Sequence, residues 1–260
     1  MNPSSGFMRP RIVSIKLDFP EPVSPMTHVS LPRFRDKSIS LSVGIENNFS
    51  TFLKGGSTAD KMILGASRED KQYQKFIKIL AFSDLWFSNF KNKKNRIILS
   101  YNWKLRSLTN YIQQLEMESN GKQVDQNGES LDYQTSPIIW GGYGPVSQHS
   151  FYQQIFQGTK DMNLYFLAAR ENENKLNTAQ YLGQTISLSE GTKSNEPPHK
   201  QVNKRRFTTI EMDIISPRTI GNLVAIWENK TIVNSLVWNI NAFDQWGVEL
   251  GKSNTKKYLK

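Results

Sequence analysis

Three short stretches of this 260-residue chain carry side chains able to move protons or grip a polar substrate. In Gln113-Gln114-Leu115-Glu116-Met117-Glu118-Ser119-Asn120-Gly121-Lys122, the carboxylate of Glu118 falls near the end of a helix, just before a loop. His149, one of three histidines, directly follows a glycine-rich loop and opens a helix. In the stretch from Asn241 to Lys252, a continuous helix puts Gln245 and Lys252 on one face, two turns apart. A carboxylate, an imidazole and an ammonium are groups that acid–base chemistry can use. Each also has an ordinary reading. A lone Glu there is usually solvated, a lone His structural or exposed, and the last stretch an amphipathic helix packing Val248 and Leu250.

Other chemistries lack their residues. The chain has no cysteine, which removes disulfides, thiolate metal sites and cysteine nucleophiles. No His or carboxylate spacing reads as a metal site, and neither a Gly-x-Ser-x-Gly elbow nor a P-loop is present. The net charge of +10 raises nucleic acid as a partner. Its sharpest clusters are Lys91, Lys93, Lys94 and Arg96, then Lys204, Arg205 and Arg206. Neither alternates with aromatics as a base-stacking platform would, so both read as solvated basic surface and no nucleic-acid partner is expected. A positive field attracts an anionic sugar phosphate equally well. No apolar run approaches the ~18 residues of a membrane span, and the N-terminus lacks the apolar core of a secretory signal. A soluble, cytoplasmic protein is expected.

The elements that must hold these residues follow from periodicity. Six of the eleven prolines lie within residues 1–34, which predicts irregular structure there. From Lys71 to Phe90 the apolar residues mark a broad helix face. Ser119 to Gln134 reads as a polar loop or hairpin with turns at Asn120-Gly121 and Asn127-Gly128. The run Ser136 to Trp140, then Gly141-Gly142-Tyr143-Gly144, then helical spacing from Gln148 to Gln157, is the order of a β–α unit. Asn163 to Ala169 is a second apolar strand before a helix-prone stretch at Arg170–Leu182. Phe207 to Ile215 is a third. Ser216-Pro217 then opens a helix running to about Asn229, and Val233–Ile240 fits a buried helix or a strand. Strands alternating with helices predict a layered α/β domain.

Taken together, four segments resemble the phosphoglucose isomerase family: QQLEMESNGK (113–122), DYQTSPIIWG (132–141), QHSFYQQIFQGTK (148–160) and WNINAFDQWGVELGK (238–252). They occur in the family's order and at similar spacing, and the likeness covers about residues 36–260. The resemblance implies a sugar-isomerase (SIS) domain, three layers with a parallel sheet sandwiched by helices, in a homodimer with no cofactor. It implies reversible conversion of glucose 6-phosphate to fructose 6-phosphate, a step of glycolysis and gluconeogenesis. Glu118 then corresponds to the base that moves a proton between the first two sugar carbons through a cis-enediol. His149, supplied in the family by the neighbouring subunit, and Lys252 correspond to residues assisting ring opening, and Gln114 and Gln245 to residues that hydrogen-bond the substrate.

The departures are equally concrete. The family's two phosphate-cradling loops, of Gly-Ile-Gly-Gly-Ser and Ser-Lys-Thr-Phe-Thr-Thr type, are absent from the sequence. So is its Gly-Gly-Arg-Phe segment, where the ungapped register puts His28. Pro145-Val146-Ser147 stands where the family usually has Thr-Asn-Gly, LSYNW (99–103) where it has Leu-Pro-Tyr-Asp-Gln, and Phe156 where it has histidine. The chain is read as an N-terminally shortened member: residues 1–37 atypical, 38–84 a helical remnant of the first domain with its connection, 85–240 the second domain, and 241–260 a C-terminal helix. Without the phosphate cradle, turnover far below that of an intact relative is expected. The alternative is a catalytically dead remnant or a half-enzyme that binds sugar phosphate.

Overall fold

A computed structural model describes residues 12–16, 71–170, 174–192 and 195–259. His28, Arg33 and Phe34, and most of the two segments assigned to 1–37 and 38–84, lie outside the described residues. In chain order the elements are β1 (Ile12–Lys16), α1 (Lys71–Leu85), β2 (Asn95–Ser100), α2 (Leu108–Asn120), β3 (Ile138–Tyr143), the short α3 (Gly144–Ser147), α4 (Tyr152–Gln157), β4 (Asn163–Ala169), α5 (Lys175–Glu190), β5 (Phe207–Met212), α6 (Pro217–Val237) and α7 (Trp246–Tyr258).

One sheet of order β1-β5-β4-β2-β3 organises them. Strands β2 to β5 run parallel, and β1 closes one edge antiparallel to β5. Thus within the proline-rich segment read as irregular, five residues form an edge strand. A parallel sheet has to be covered on both faces, and the side chains sort accordingly. Ile98, Tyr165, Leu167, Ile210 and Met212 pack with Phe76, Ile77 and Leu80 of α1, Ile112 of α2, and Leu223, Ile226 and Trp227 of α6. Ile97, Leu99, Leu164 and Phe166 point the other way, toward Tyr152 and Ile155 of α4 and Tyr181 and Leu188 of α5. The period of two along each strand makes the alternation, and the three layers follow from it.

Two features set the geometry of the later site. The 122–135 loop is a small hairpin with an antiparallel bridge between Val124 and Ser130. Its turn is held by the Asp125 carboxylate, which accepts from the backbone of Asn127 at 2.8 Å and of Glu129 at 3.0 Å. Helix α6 continues to Val237 rather than ending near Asn229. The polar run Asn229-Lys230-Thr231 imitates a helix end, yet all three residues are buried. Beyond α6, Trp238 and Ile240 are buried against Leu85 and Leu131.

Candidate active site

Helix α2 presents two faces. Ile112, Glu116 and Asn120 are buried. Gln114 and Glu118, at the same four-residue spacing, form a neighbouring row that reaches solvent. Residues two apart on a helix are turned about 200° from one another, so Glu116 points inward while Glu118, half-buried, points to the rim. The Glu118 carboxylate accepts a hydrogen bond from Gln114 Nε2 at 3.3 Å. The end of α2 is pinned to the start of β3. Gln113 Nε2 donates to the Ile139 carbonyl at 2.9 Å, and the Ser136 amide donates to the Asn120 carbonyl at 3.2 Å.

Lys252 approaches the same rim from the far end of the sequence. Its ammonium pairs with Glu249 at 2.7 Å, with both side chains exposed. It is held protonated above the ordinary lysine range, chiefly by the hydrogen bond and charge of Glu249 and, further off, by the negative charge of Glu118. Gln245 departs from its expected place. It caps α7 with non-helical dihedrals (φ −142°, ψ 37°) instead of lying inside the helix, so it does not share a helical face with Lys252. Helix α7 buries none of its residues. Val248 and Leu250 are 46% and 67% exposed, which removes the packed amphipathic reading of this helix.

His149 lies elsewhere. It sits exposed in a turn between α3 and α4, not at the opening of a helix. Its neighbour Gln148 accepts side-chain hydrogen bonds from Gln180 and Gln184 of α5. Glu118 adjoins the amino end of β3 on the face covered by α1, α2 and α6, whereas His149 follows its carboxyl end on the face covered by α4 and α5. The strand between them spans roughly 20 Å at ~3.3 Å per residue. One chain therefore brings Gln114, Glu118 and Lys252 toward one rim and leaves His149 beyond the other end of β3. The departures at 145 and 156 are absorbed locally: Pro145 occupies the first turn of α3, and Phe156 packs against the α4–α5 core.

Composition alone does not reveal the charged cluster beneath the site. Asp84, Arg96, Glu116 and Lys230 are each 1% exposed or less. Arg96 pairs with Glu116 at 2.5 Å and Asp84 at 2.9 Å. Lys230 pairs with Glu116 at 2.7 Å and also with Asp84, and Tyr165 donates to Asp84 at 2.7 Å. Arg96 is thus no part of a solvated basic surface. Lys93 too is buried, with its ammonium over the Phe87 ring, and Arg205 donates to the carbonyls of Ile155 and Gly158. The available signal was at Asp84, which interrupts the apolar stretch Ala81–Phe87; Arg96 and Lys230 stand in polar stretches and carry none. Among the described residues no three His, Asp or Glu side chains cluster as metal ligands, and no helix is long and apolar enough to cross a membrane.

A parallel sheet between helix layers defines a three-layer α/β domain of sugar-isomerase type. The crystal structure of a glucose-6-phosphate isomerase from Chlamydia trachomatis D/UW-3/Cx superposes with a TM-score of 0.68 and 28% identity, over 77% of this chain and 41% of that one. A hypothetical protein from Thermus thermophilus shares the fold at a TM-score of 0.58 and 22% identity, over 77% of this chain and 49% of that one. The model of the phosphoglucose isomerase family matches residues 35–260, and the chain belongs to that family. Curated glucose-6-phosphate isomerases are similar to it. That of Wigglesworthia glossinidia brevipalpis is 37% identical over 244 residues, 85% of this chain and 43% of the relative. That of Shewanella sp. strain ANA-3 is 35% identical over 240 residues, 83% of this chain and 43% of the relative. The chain spans less than half the length of the curated relatives it matches.

Proposed function

We propose that the chain carries the proton-transfer half of a glucose-6-phosphate isomerase site, acting on glucose 6-phosphate and fructose 6-phosphate in the cytoplasm as part of glycolysis and gluconeogenesis. The supporting observation is the rim itself: Glu118 in contact with Gln114, in the electrostatic reach of Lys252, and half open to solvent. In this reading the carboxylate of Glu118 removes the proton from C2 of the open-chain aldose and returns it to C1. The electrons pass through a cis-enediol, so no hydride acceptor or other cofactor is needed. Gln114 steadies the carboxylate and hydrogen-bonds the sugar, as does Gln245. Lys252 supplies a fixed positive charge where oxygen becomes negative. His149 assists ring opening from a second copy of the chain in a homodimer, a reading favoured by its position beyond the other end of β3 from its own Glu118.

Incubation of the purified chain with glucose 6-phosphate in D2O tests this directly. Fructose 6-phosphate and carbon-bound deuterium are expected to appear slowly, at a rate far below that of an intact relative, because remote phosphate binding normally supports the reacting carbons. Glu118→Gln should slow both by about 100- to 10,000-fold. A parent chain giving neither product nor exchange, or a Glu118→Gln chain with undiminished exchange, would remove the proposal.

A further inference from the structure

Helix α7 has an unusual attachment. Residues 241–245 lead to it from the buried anchor of Trp238 and Ile240, and they are exposed or half-buried. Among the described residues, the hydrogen bonds and ion pairs of α7 stay within the helix and its cap: Lys252 to Glu249, Thr255 to the Gly251 carbonyl and Lys257 to Asn254. Asp244 and Asn241 close their own turn at 3.0 Å. The contact that crosses to the body of the domain comes from Lys122. Its Nζ donates to the backbone carbonyl of Asp244 and lies 3.1 Å from that residue's Oδ1. The same nitrogen donates to the Glu118 carbonyl at 3.1 Å. The Lys122 side chain is only 12% exposed and that of Asp244 28%, so salt screens this pair less than one on open surface.

We propose that Lys122 is a positioning residue whose ammonium latches Asp244, and with it the start of the helix bearing Gln245 and Lys252, onto the last turn of the helix bearing Glu118. One nitrogen bonds the backbone on both sides of the seam, so a shift of either partner strains its hold on the other. The latch follows from these contacts alone. Its consequence for catalysis rests on the proposed function.

The absence of cysteine permits a clean distance measurement. Spin labels at Asn110→Cys on α2 and Lys256→Cys on α7, both exposed positions, report the separation of the two helices by pulsed dipolar spectroscopy. The labelled parent should give one narrow distance. Lys122→Met should replace it with a broad distribution without a comparable loss of melting temperature, and Lys122→Arg should restore the narrow peak. Should Lys122→Met fail to fold, Asp244→Ala carries the same test, since it removes the carboxylate arm. A broad distribution in the labelled parent overturns the latch, as does a narrow peak that survives both Lys122→Met and Asp244→Ala. In the deuterium-exchange assay, Lys122→Met should lower kcat by about 100-fold, the scale of a small misplacement, with KM little changed. A narrow distance in Lys122→Met together with that loss would overturn the latch as the cause. Absence of exchange in the parent bears on the proposed function and leaves the distance result to decide the latch.

Discussion

Glu116 and Glu118 stand two positions apart on α2, and the helix turn sends one into the core and the other to the rim. In Glu116 the charge is confined. Burial is the largest single influence on its carboxyl and pushes its titration upward, but Arg96 and Lys230 together outweigh burial and hold it below the ordinary carboxylate value of 4.5. Removing one member leaves a buried charge without its partner, at a cost of about 3–5 kcal/mol. Lys230→Met should therefore lower the urea midpoint sharply, and Glu116→Gln should do the same at neutral pH. A carboxyl depressed in the folded state contributes stability that is fully present above the unfolded value and is lost as pH falls through the folded one. The gap between parent and Glu116→Gln in urea titrations should thus be widest at neutral pH and shrink as pH drops below 4.5. A gap that stayed constant to about pH 3 would deny Glu116 this role.

At the scale of elements, the glycines of β3 decide how closely the edge strand can approach. Gly141 has φ +135°, and a Cβ there would lie 2.1 Å from the Ile98 carbonyl oxygen of β2, its register partner. Backbone oxygen cannot swing aside as a side-chain tip can. Gly141→Ala is expected to cost more than the roughly 1–3 kcal/mol of a strained dihedral alone, read as a lower melting temperature and faster amide exchange in β3. Much of this element level was legible in the sequence. The unbroken apolar run of β4 has the bounds Asn163–Ala169 in sequence and structure alike, because a strand buried on both faces needs no alternation. The β3 glycine run was visible too, although its first two glycines belong to the strand. What escaped depends on contacts far along the chain. Lys230 looks like a helix end until Asp84 and Glu116 supply its countercharges, Arg96 looks like surface until β2 turns it inward, and Gln245 looks helical until the chain ahead of α7 leaves it at the cap. The rim residues Gln114, Glu118 and Lys252 were legible as motif members. Their separation from His149 was implied by the resemblance alone; the residues themselves do not show it, because it arises from which end of β3 each segment meets.

Across the whole molecule that separation becomes an argument about assembly. Glu118 and His149 lie beyond opposite ends of β3 and on opposite faces of the sheet, so a site using both needs a second copy to bring an imidazole to each carboxylate. The apolar side chains around α7 point the same way: Phe243, Trp246 and Leu250 are 79%, 78% and 67% exposed, more apolar surface than a free helix of a stable monomer normally leaves to water. A closed dimer with two-fold symmetry would place both sites equivalently. Consider then a chain with Glu118→Gln and another with His149→Ala, each crippled as a dimer of itself. After mixing and exchange of subunits, a mixed dimer holds one site with both substitutions and one site with neither. Half of randomly paired dimers are mixed and each has one whole site, so about a quarter of the parent's deuterium exchange should return. If His149 served its own chain's Glu118, every site in every dimer would keep one defect and mixing would restore nothing. The same null result would follow if the chain never paired, and the mass of the mixture by light scattering separates the two. Recovery near a quarter, from two preparations that are inactive apart, requires the carboxylate and the imidazole of a site to come from different chains.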